Sequence, residues 1–148
     1  MSRETDIAWC AGFFDGEGCA RCSWSRPNER TGRISPILSV SVPQAASNVE
    51  VLEFFQSVVE MGKIRGPYPM PNGKPQYVLS FKTREIPRLF EVLKPYLRAQ
   101  KTADFKRAIH RYENHDELTL DSKEDIIGDD GTADLDVIMR LLKEKGLL

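Results

Sequence analysis

Residues 7–14 read Ile7-Ala8-Trp9-Cys10-Ala11-Gly12-Phe13-Phe14. Eight residues without a charge or a proline follow Thr5 and Asp6, either of which serves as an N-cap. They predict a helix that is apolar on every face, and such a helix has to be buried all round. The chain has 148 residues, a length that suits one domain with a single core. One side of the helix faces that core. The other side needs a second cover, most simply another copy of the same chain. Gly12 and Gly16 lie four residues apart and share a helix face. Without side chains they let two backbones approach closely, the packing logic of small-x-x-x-small pairs. A homodimer contact through Gly12 and Gly16 is therefore expected.

From Gly18 the hydrophobic period switches to two. Arg21, Ser23 and Ser25 alternate with Ala20, Cys22 and Trp24, and Ser35, Ser39 and Ser41 alternate with Leu38, Val40 and Val42. One face is apolar and one polar, as in an antiparallel sheet covered on one side. Residues 27–32, with Pro27, Asn28 and Gly32, form the turn between the two strands. Ser47-Asn48-Val49-Glu50 has the spacing of a capping box ahead of a helical stripe of Val51, Leu52, Phe55, Val58 and Val59, which Gly62 stops. A short strand at Lys63-Ile64-Arg65 leads into a turn from Gly66 to Pro75. The fourth strand sets Gln76, Val78, Ser80 and Lys82 against Tyr77, Leu79 and Phe81. Helices are expected over about 84–94, ended by Pro95, and about 99–112. The order is αββαββα, an α/β (α+β) arrangement. Residues 1–113 form the domain, the acidic segment 114–133 reads as a linker, and 134–148 as a short amphipathic C-terminal helix.

Charge follows the same division. The net value is −1, but residues 1–113 hold 17 Lys and Arg against 12 Asp and Glu, while residues 114–148 hold 4 against 10. The bulk figure conceals a basic body and an acidic tail, and a basic body suits a nucleic-acid partner. Hydrophobic residues make up 41% and charged residues 29%, as in soluble globular proteins. No run of 18 apolar residues occurs, so no membrane-spanning helix is expected. The first residues, Met1-Ser2-Arg3-Glu4-Thr5-Asp6, lack a signal-peptide pattern, and an intracellular location is expected. Of the three cysteines, Cys19 and Cys22 have C-x-x-C spacing. A zinc site would need a second pair nearer in sequence than His110 and His115, so strand-packing thiols are the expectation.

The stretch Trp9-Cys10-Ala11-Gly12-Phe13-Phe14-Asp15-Gly16-Glu17-Gly18 closely resembles the LAGLIDADG signature of homing endonucleases. Cys10 stands where that family usually has Leu, and Glu17 where it usually has Asp. Val42-Pro43-Gln44 resembles the family's strand-end Gln. Leu93-Lys94-Pro95-Tyr96-Leu97 followed by Lys101 resembles its basic segment after the sheet. The resemblance covers about residues 5–112. It implies a saddle-shaped four-stranded antiparallel sheet with helices packed on one face. It implies Mg²⁺ held by Glu17 and the carbonyl of Gly16, with Mn²⁺ able to substitute. Gln44 would position water or metal, and Lys101 would stabilise phosphate charge. The family often has two adjacent basic residues there, and a slip of one would put Gln100 at that position instead. Asp15 is implied to be structural, near the helix end and the dimer contact.

The chemistry agrees with the resemblance. Two copies crossing at the end of the first helix would bring two Glu17 carboxylates together, and only cations make that arrangement favourable. Mg²⁺ takes carboxylate, carbonyl and water oxygens, and paired metals can activate water and stabilise a leaving oxygen in phosphodiester hydrolysis.

The polar strand faces offer Arg21, Ser23, Ser25, Ser39, Ser41, Lys63, Arg65, Gln76, Ser80 and Lys82, and the first hairpin adds Arg26, Arg30 and Arg33. A β-ribbon fits the major groove of double-stranded DNA. One motif per chain implies a twofold dimer on a long, roughly palindromic target. The resemblance further implies cleavage of both strands across the minor groove, with short 3′ overhangs, and a role in intron or intein mobility. Two rivals stand beside the nuclease: a protein of the same fold that binds nucleic acid without cutting, such as an intron-splicing maturase or a DNA-binding regulator, and a homodimeric scaffold without nucleic acid.

Overall fold

The structure, a computed structural model, describes residues 2–114 and 118–119. Helix α1 (Arg3–Glu17) leads into strand β1 (Cys19–Trp24). Strands β2 (Arg33–Ile34) and β3 (Pro36–Ala45) follow, then helix α2 (Val49–Val59), strands β4 (Lys63–Tyr68) and β5 (Gln76–Ser80), and helices α3 (Ile86–Leu93) and α4 (Ala99–Glu113), with strand β6 (Leu118–Thr119) last. Four strands make one sheet in the order β1-β3-β5-β4. The α/β order expected from the periodicity is present, with short additions. No helix among the described residues is long and apolar enough to cross a membrane.

The chain divides into two compact units, Met1–Arg21 with Leu38–Ile109 and Cys22–Ile37 with His110–Leu148. In the first, alternation along the strands sorts the faces. Leu38, Val40 and Val42 of β3 and Leu79 of β5 are buried, while Lys63 and Arg65 of β4 are exposed and Ser39, Ser41, Gln76 and Ser80 half-buried. The apolar side chains Leu52, Phe55, Val58 and Val59 of α2 and Ile86, Leu89, Phe90 and Leu93 of α3 are buried in the same core. An aromatic series joins three helices: Phe14 lies 5.1 Å from Phe105, and Phe105 stacks on Phe90 at 5.0 Å. Register is defined on the outer face. Ser41 and Lys63 both stand opposite Ser80, and Pro43 and Arg65 both stand opposite Val78.

In the second unit the hairpin is closed by backbone bonds, Ser25 N–H to Ser35 C=O and Asn28 N–H to Arg33 C=O, each at 2.8 Å. The Asn28 side chain accepts the N–H groups of Arg30 and Thr31, the turn-forming habit of Asn. Strand β2 pairs antiparallel with β6, Arg33 opposite Thr119 and Ile34 opposite Leu118. Part of the segment read as linker therefore forms a strand. The rest of it beyond Asn114, and the C-terminal helix read over 134–148, lie outside the described residues.

Several local expectations differ from what is found. Ser2, not Thr5 or Asp6, caps α1: its hydroxyl accepts the Thr5 N–H at 3.2 Å, so the helix starts at Arg3. The Ser47 capping box is not made. Residues Ala46–Asn48 form a 3₁₀ turn, α2 starts at Val49, and no side chain caps it. The reciprocal contact occurs instead before α3, where the Glu85 carboxylate accepts the Lys82 backbone N–H at 2.8 Å. The second strand is interrupted at Ser35 into β2 and β3, and β5 ends at Ser80, short of Lys82. The turn expected from Gly66 begins later. Gly66 adopts φ +125°, a region closed to L side chains, and a Cβ there would meet the Gln76 carbonyl at 2.9 Å. That freedom lets β4 bulge between Arg65 and Tyr68 and keep pairing.

Candidate active site at the end of α1

Helix α1 buries one face, Cys10, Ala11 and Phe14, in its own core. Trp9, Gly12 and Gly16 lie on an exposed side. A methyl group built on Gly12 or Gly16 would meet nothing within 4 Å. The helix is thus not buried all round within one chain. Its second side is open and lined by glycine. Trp9 lies partly across this side, stacked on Phe13 at 5.3 Å and edge-on to Phe54 at 5.1 Å.

Glu17 is the last residue of α1 and is exposed. The final helical bond runs from Gly18 N–H to Phe14 C=O at 2.8 Å, so the carbonyls of the last turn have no intrahelical donor. Gly18 itself is buried against the Phe14 ring. A carboxylate beside outward-facing carbonyls is an all-oxygen donor set, the kind that suits Mg²⁺. Glu17 and the Gly16 carbonyl therefore fit that ion. A single carboxylate is a small share of any divalent site, and no group of three or more metal-ligating side chains occurs among the described residues.

Two contacts bring α4 to this helix end. The Asp15 carboxylate accepts the backbone N–H of Arg98 with both oxygens at 3.2 Å. Arg98 opens α4, since its carbonyl takes the first bond, from Thr102 N–H. Asp15 thus caps α4. A negative charge that is unfavourable at the C-terminus of one helix becomes favourable at the N-terminus of another. Three residues further on, the Lys101 ammonium donates to the Gly18 carbonyl at 2.6 Å. Gln100 instead donates to Asp104 at 3.0 Å, along its own helix. Of the two candidates for the basic position, Lys101 is the one beside the acidic turn.

Gln44 is half-buried near the end of β3, and its Oε1 accepts the Ala45 N–H at 3.0 Å. No hydrogen bond among the described residues joins it to Glu17 or Lys101. Cys19 is exposed and Cys22 half-buried. Three residues apart on one strand, they face opposite sides and cannot grip one ion. Burial pushes the Cys22 thiol up, against the opposing pull of Arg111 and a backbone bond to Ile37. Burial, helped by Asp6, pushes the Cys10 thiol up to about 12.

The residues expected to meet DNA sort by unit. In the first, Arg21, Lys63, Arg65 and Lys82 are exposed, and Ser39, Ser41, Gln76 and Ser80 are half-buried. In the second, Arg26, Arg30 and Arg33 are exposed and Ser23 half-buried. Ser25 has a local task there: its hydroxyl donates to the Arg26 carbonyl and accepts the Ser35 N–H at 2.9 Å. Sequence reasoning missed the Arg98 N–H, the Gly18 carbonyl and Glu85. The first two are backbone groups that any residue carries.

The family model for the LAGLIDADG endonuclease matches residues 10–112. The fold is similar to that of the homing endonuclease I-CvuI, seen with the I-CreI target in the presence of Mg with DNA not cleaved: TM-score 0.63, 21% identity, 98% of this chain and 82% of that one. It is similar also to the homing endonuclease I-TnaI (TM-score 0.57, 25% identity, 72% and 71%) and to the archaeal intron-encoded homing endonuclease I-Vdi141I complexed with DNA (0.60, 23%, 76% and 69%). No curated protein sequence matches at a significant level. With one copy of the motif ending at Gly18 and the match running into the last turn of α4, the chain belongs to the LAGLIDADG endonuclease family.

Proposed function

We propose that the protein is a site-specific homing endonuclease that works as a homodimer and makes a double-strand break in a long, pseudo-palindromic DNA target by Mg²⁺-dependent hydrolysis. The observation that carries this reading is the end of α1. An open glycine side leads directly to an exposed Glu17, with the Lys101 ammonium anchored one residue beyond. Among the similar structures, I-CvuI was captured with its target in the presence of Ca, and I-CeuI is a group I intron-encoded enzyme complexed with DNA. Those descriptions support a DNA partner, and a role in intron or intein mobility is part of the same proposal.

Two copies packed through Gly12 and Gly16 would bring both Glu17 carboxylates to the twofold axis. Glu17 and the Gly16 carbonyl would hold Mg²⁺, or Mn²⁺ in its place. Bound there, the cation supplies water activation and charge stabilisation at the leaving oxygen. The ammonium of Lys101 has three donors. One serves Gly18, and the others are available to a non-bridging phosphate oxygen, whose charge grows in the transition state. Gln44 would orient water through its amide. Arg21, Lys63, Arg65, Lys82 and the hairpin arginines would hold and read the duplex.

Glu17→Gln tests this. It should abolish cleavage in Mg²⁺ while leaving dimer mass and DNA affinity near wild type, and full cleavage by the variant would refute the assignment. A monomeric mass for the wild type at micromolar concentration would remove the shared site. Retention of a selected duplex without cleavage by the wild type would favour the non-cutting rival of the same fold.

A further inference from the structure

Arg65 and Ser80 are diagonal neighbours across the β4–β5 pair, since Lys63 stands opposite Ser80 and Arg65 opposite Val78. A long side chain can reach across that diagonal, and Arg65 does. Its Nε donates to Ser80 Oγ at 3.3 Å, and the Ser80 hydroxyl donates in turn to the Lys63 carbonyl at 3.4 Å. A hydroxyl has one donor. The Lys63 carbonyl therefore takes the Ser80 proton and turns an oxygen lone pair toward Arg65. The guanidinium is held by its inner N–H, and its two terminal nitrogens make no hydrogen bond among the described residues.

The surroundings do not compete for those nitrogens. Arg65 and Lys82 line an open hollow of about 380 Å³ whose one acid is Glu85. The Glu85 carboxylate is engaged by two backbone groups, Lys82 N–H at 2.8 Å and Gly62 N–H at 3.3 Å. Across the sheet from Arg65 the row continues through Val78 and Pro43, which carry no polar side-chain atom. No carboxylate pairs with Arg65 among the described residues.

We infer that Arg65 is a base-reading residue that specifies guanine once in each half of the DNA target, and that Ser80 is the positioning residue that holds it rather than a DNA contact. The inference rests on the DNA-binding dimer proposed above. Guanine presents two acceptors, N7 and O6, on its major-groove edge, and the two terminal nitrogens of a guanidinium match them. A side chain already held loses less freedom on docking. Lys63 and Lys82, point charges on flexible stems, suit phosphate instead.

The test is binding-site selection from a randomised duplex library in Ca²⁺, with wild type, Arg65→Lys, Ser80→Ala and Ser80→Thr. Wild type should enrich guanine at one pair of twofold-related positions. Arg65→Lys keeps the charge and loses the fork. It should lower guanine enrichment at that pair by about tenfold or more, with other positions and the salt dependence unchanged. Ser80→Ala should lower it at the same pair by about two- to tenfold, and Ser80→Thr should preserve it. If Arg65→Lys selects the wild-type sites, Arg65 is a phosphate contact and the inference is overturned. It is also overturned if Ser80→Ala alters a position that Arg65→Lys leaves alone. A wild type that enriches no sequence refutes the DNA-binding reading itself, before any variant is compared.

Discussion

The Lys101 ammonium sits 2.6 Å from the carbonyl of Gly18, the residue that follows Glu17. The contact has a chemical meaning beyond packing. A helix C-terminus carries partial negative charge on its free carbonyls, and α1 adds two carboxylates there, Asp15 and Glu17. Lys101 and the N-terminus of α4 are the positive groups set against them. The site therefore holds both signs of charge in place before any ligand arrives.

Lys101 and Gln100 should differ sharply in their effect on cleavage. Lys101→Met should slow single-turnover cleavage by about 10²-fold or more, the usual cost of losing one transition-state donor, with DNA affinity nearly unchanged. Gln100→Ala should cleave at close to the wild-type rate. The reverse pattern would move the basic position to residue 100.

Asp15 should prove important for stability. Asp15→Ala removes both bonds to the Arg98 N–H and leaves α4 without its cap. A loss of about 1–2 kcal/mol is expected in urea unfolding. Asp15→Asn keeps an acceptor and should lose less. Equal losses for the two would mean that charge, not capping, dominates.

Gly12 should affect assembly and not the single chain. A larger side chain there has open space in its own protomer, and replacing a mid-helix glycine favours the helix by about 0.5–1 kcal/mol. Gly12→Leu should weaken dimerisation in sedimentation by about tenfold or more, on the order of the cost of overpacking, without lowering helicity. An unchanged dimer would place the interface elsewhere.

Stability should fall at alkaline pH through Cys10. Its thiol goes from an ordinary 9.0 to about 12 on folding, because burial disfavours the thiolate and Asp6 repels it. Below the lower value both states keep the proton and the full contribution of Cys10 is present. Between the two values the unfolded chain ionises and the folded one does not, so stability is lost as pH rises. Urea midpoints measured from about pH 8 to pH 11 should decline, and Cys10→Ala should flatten that decline. Thiol reagents should modify exposed Cys19 before Cys10.

The legible parts of this molecule were side chains in patterns. The glycine spacing, the acid that ends α1, the alternating strands and Lys101 all stand out as residue types at fixed intervals. Backbone groups do not: nothing about Arg98 or Gly18 distinguishes its N–H or C=O in a sequence, yet these bind Asp15 and Lys101. The Ser47 pattern misled because Ala46–Asn48 take a 3₁₀ turn and leave Ser47 exposed, outside the cap position. Gly66 misled in the opposite direction. Gly-Pro reads as a turn, but its positive φ serves a bulge that extends the strand. The role of Ser80 was invisible because its outward alternation is the same whether it meets DNA or an arginine.

The two hydrogen bonds that join α4 to the end of α1 each span 83 residues. The acid is present as soon as the first helix forms, whereas its lysine lies near the far end of the same fold. Closing so long a loop has a conformational cost that grows only slowly with length, but that cost has to be met before the remote contact contributes. A chain still emerging from the ribosome would thus carry the motif without its counter-charge. On the function proposed above, cleavage competence would then begin only after α4 has been made and docked.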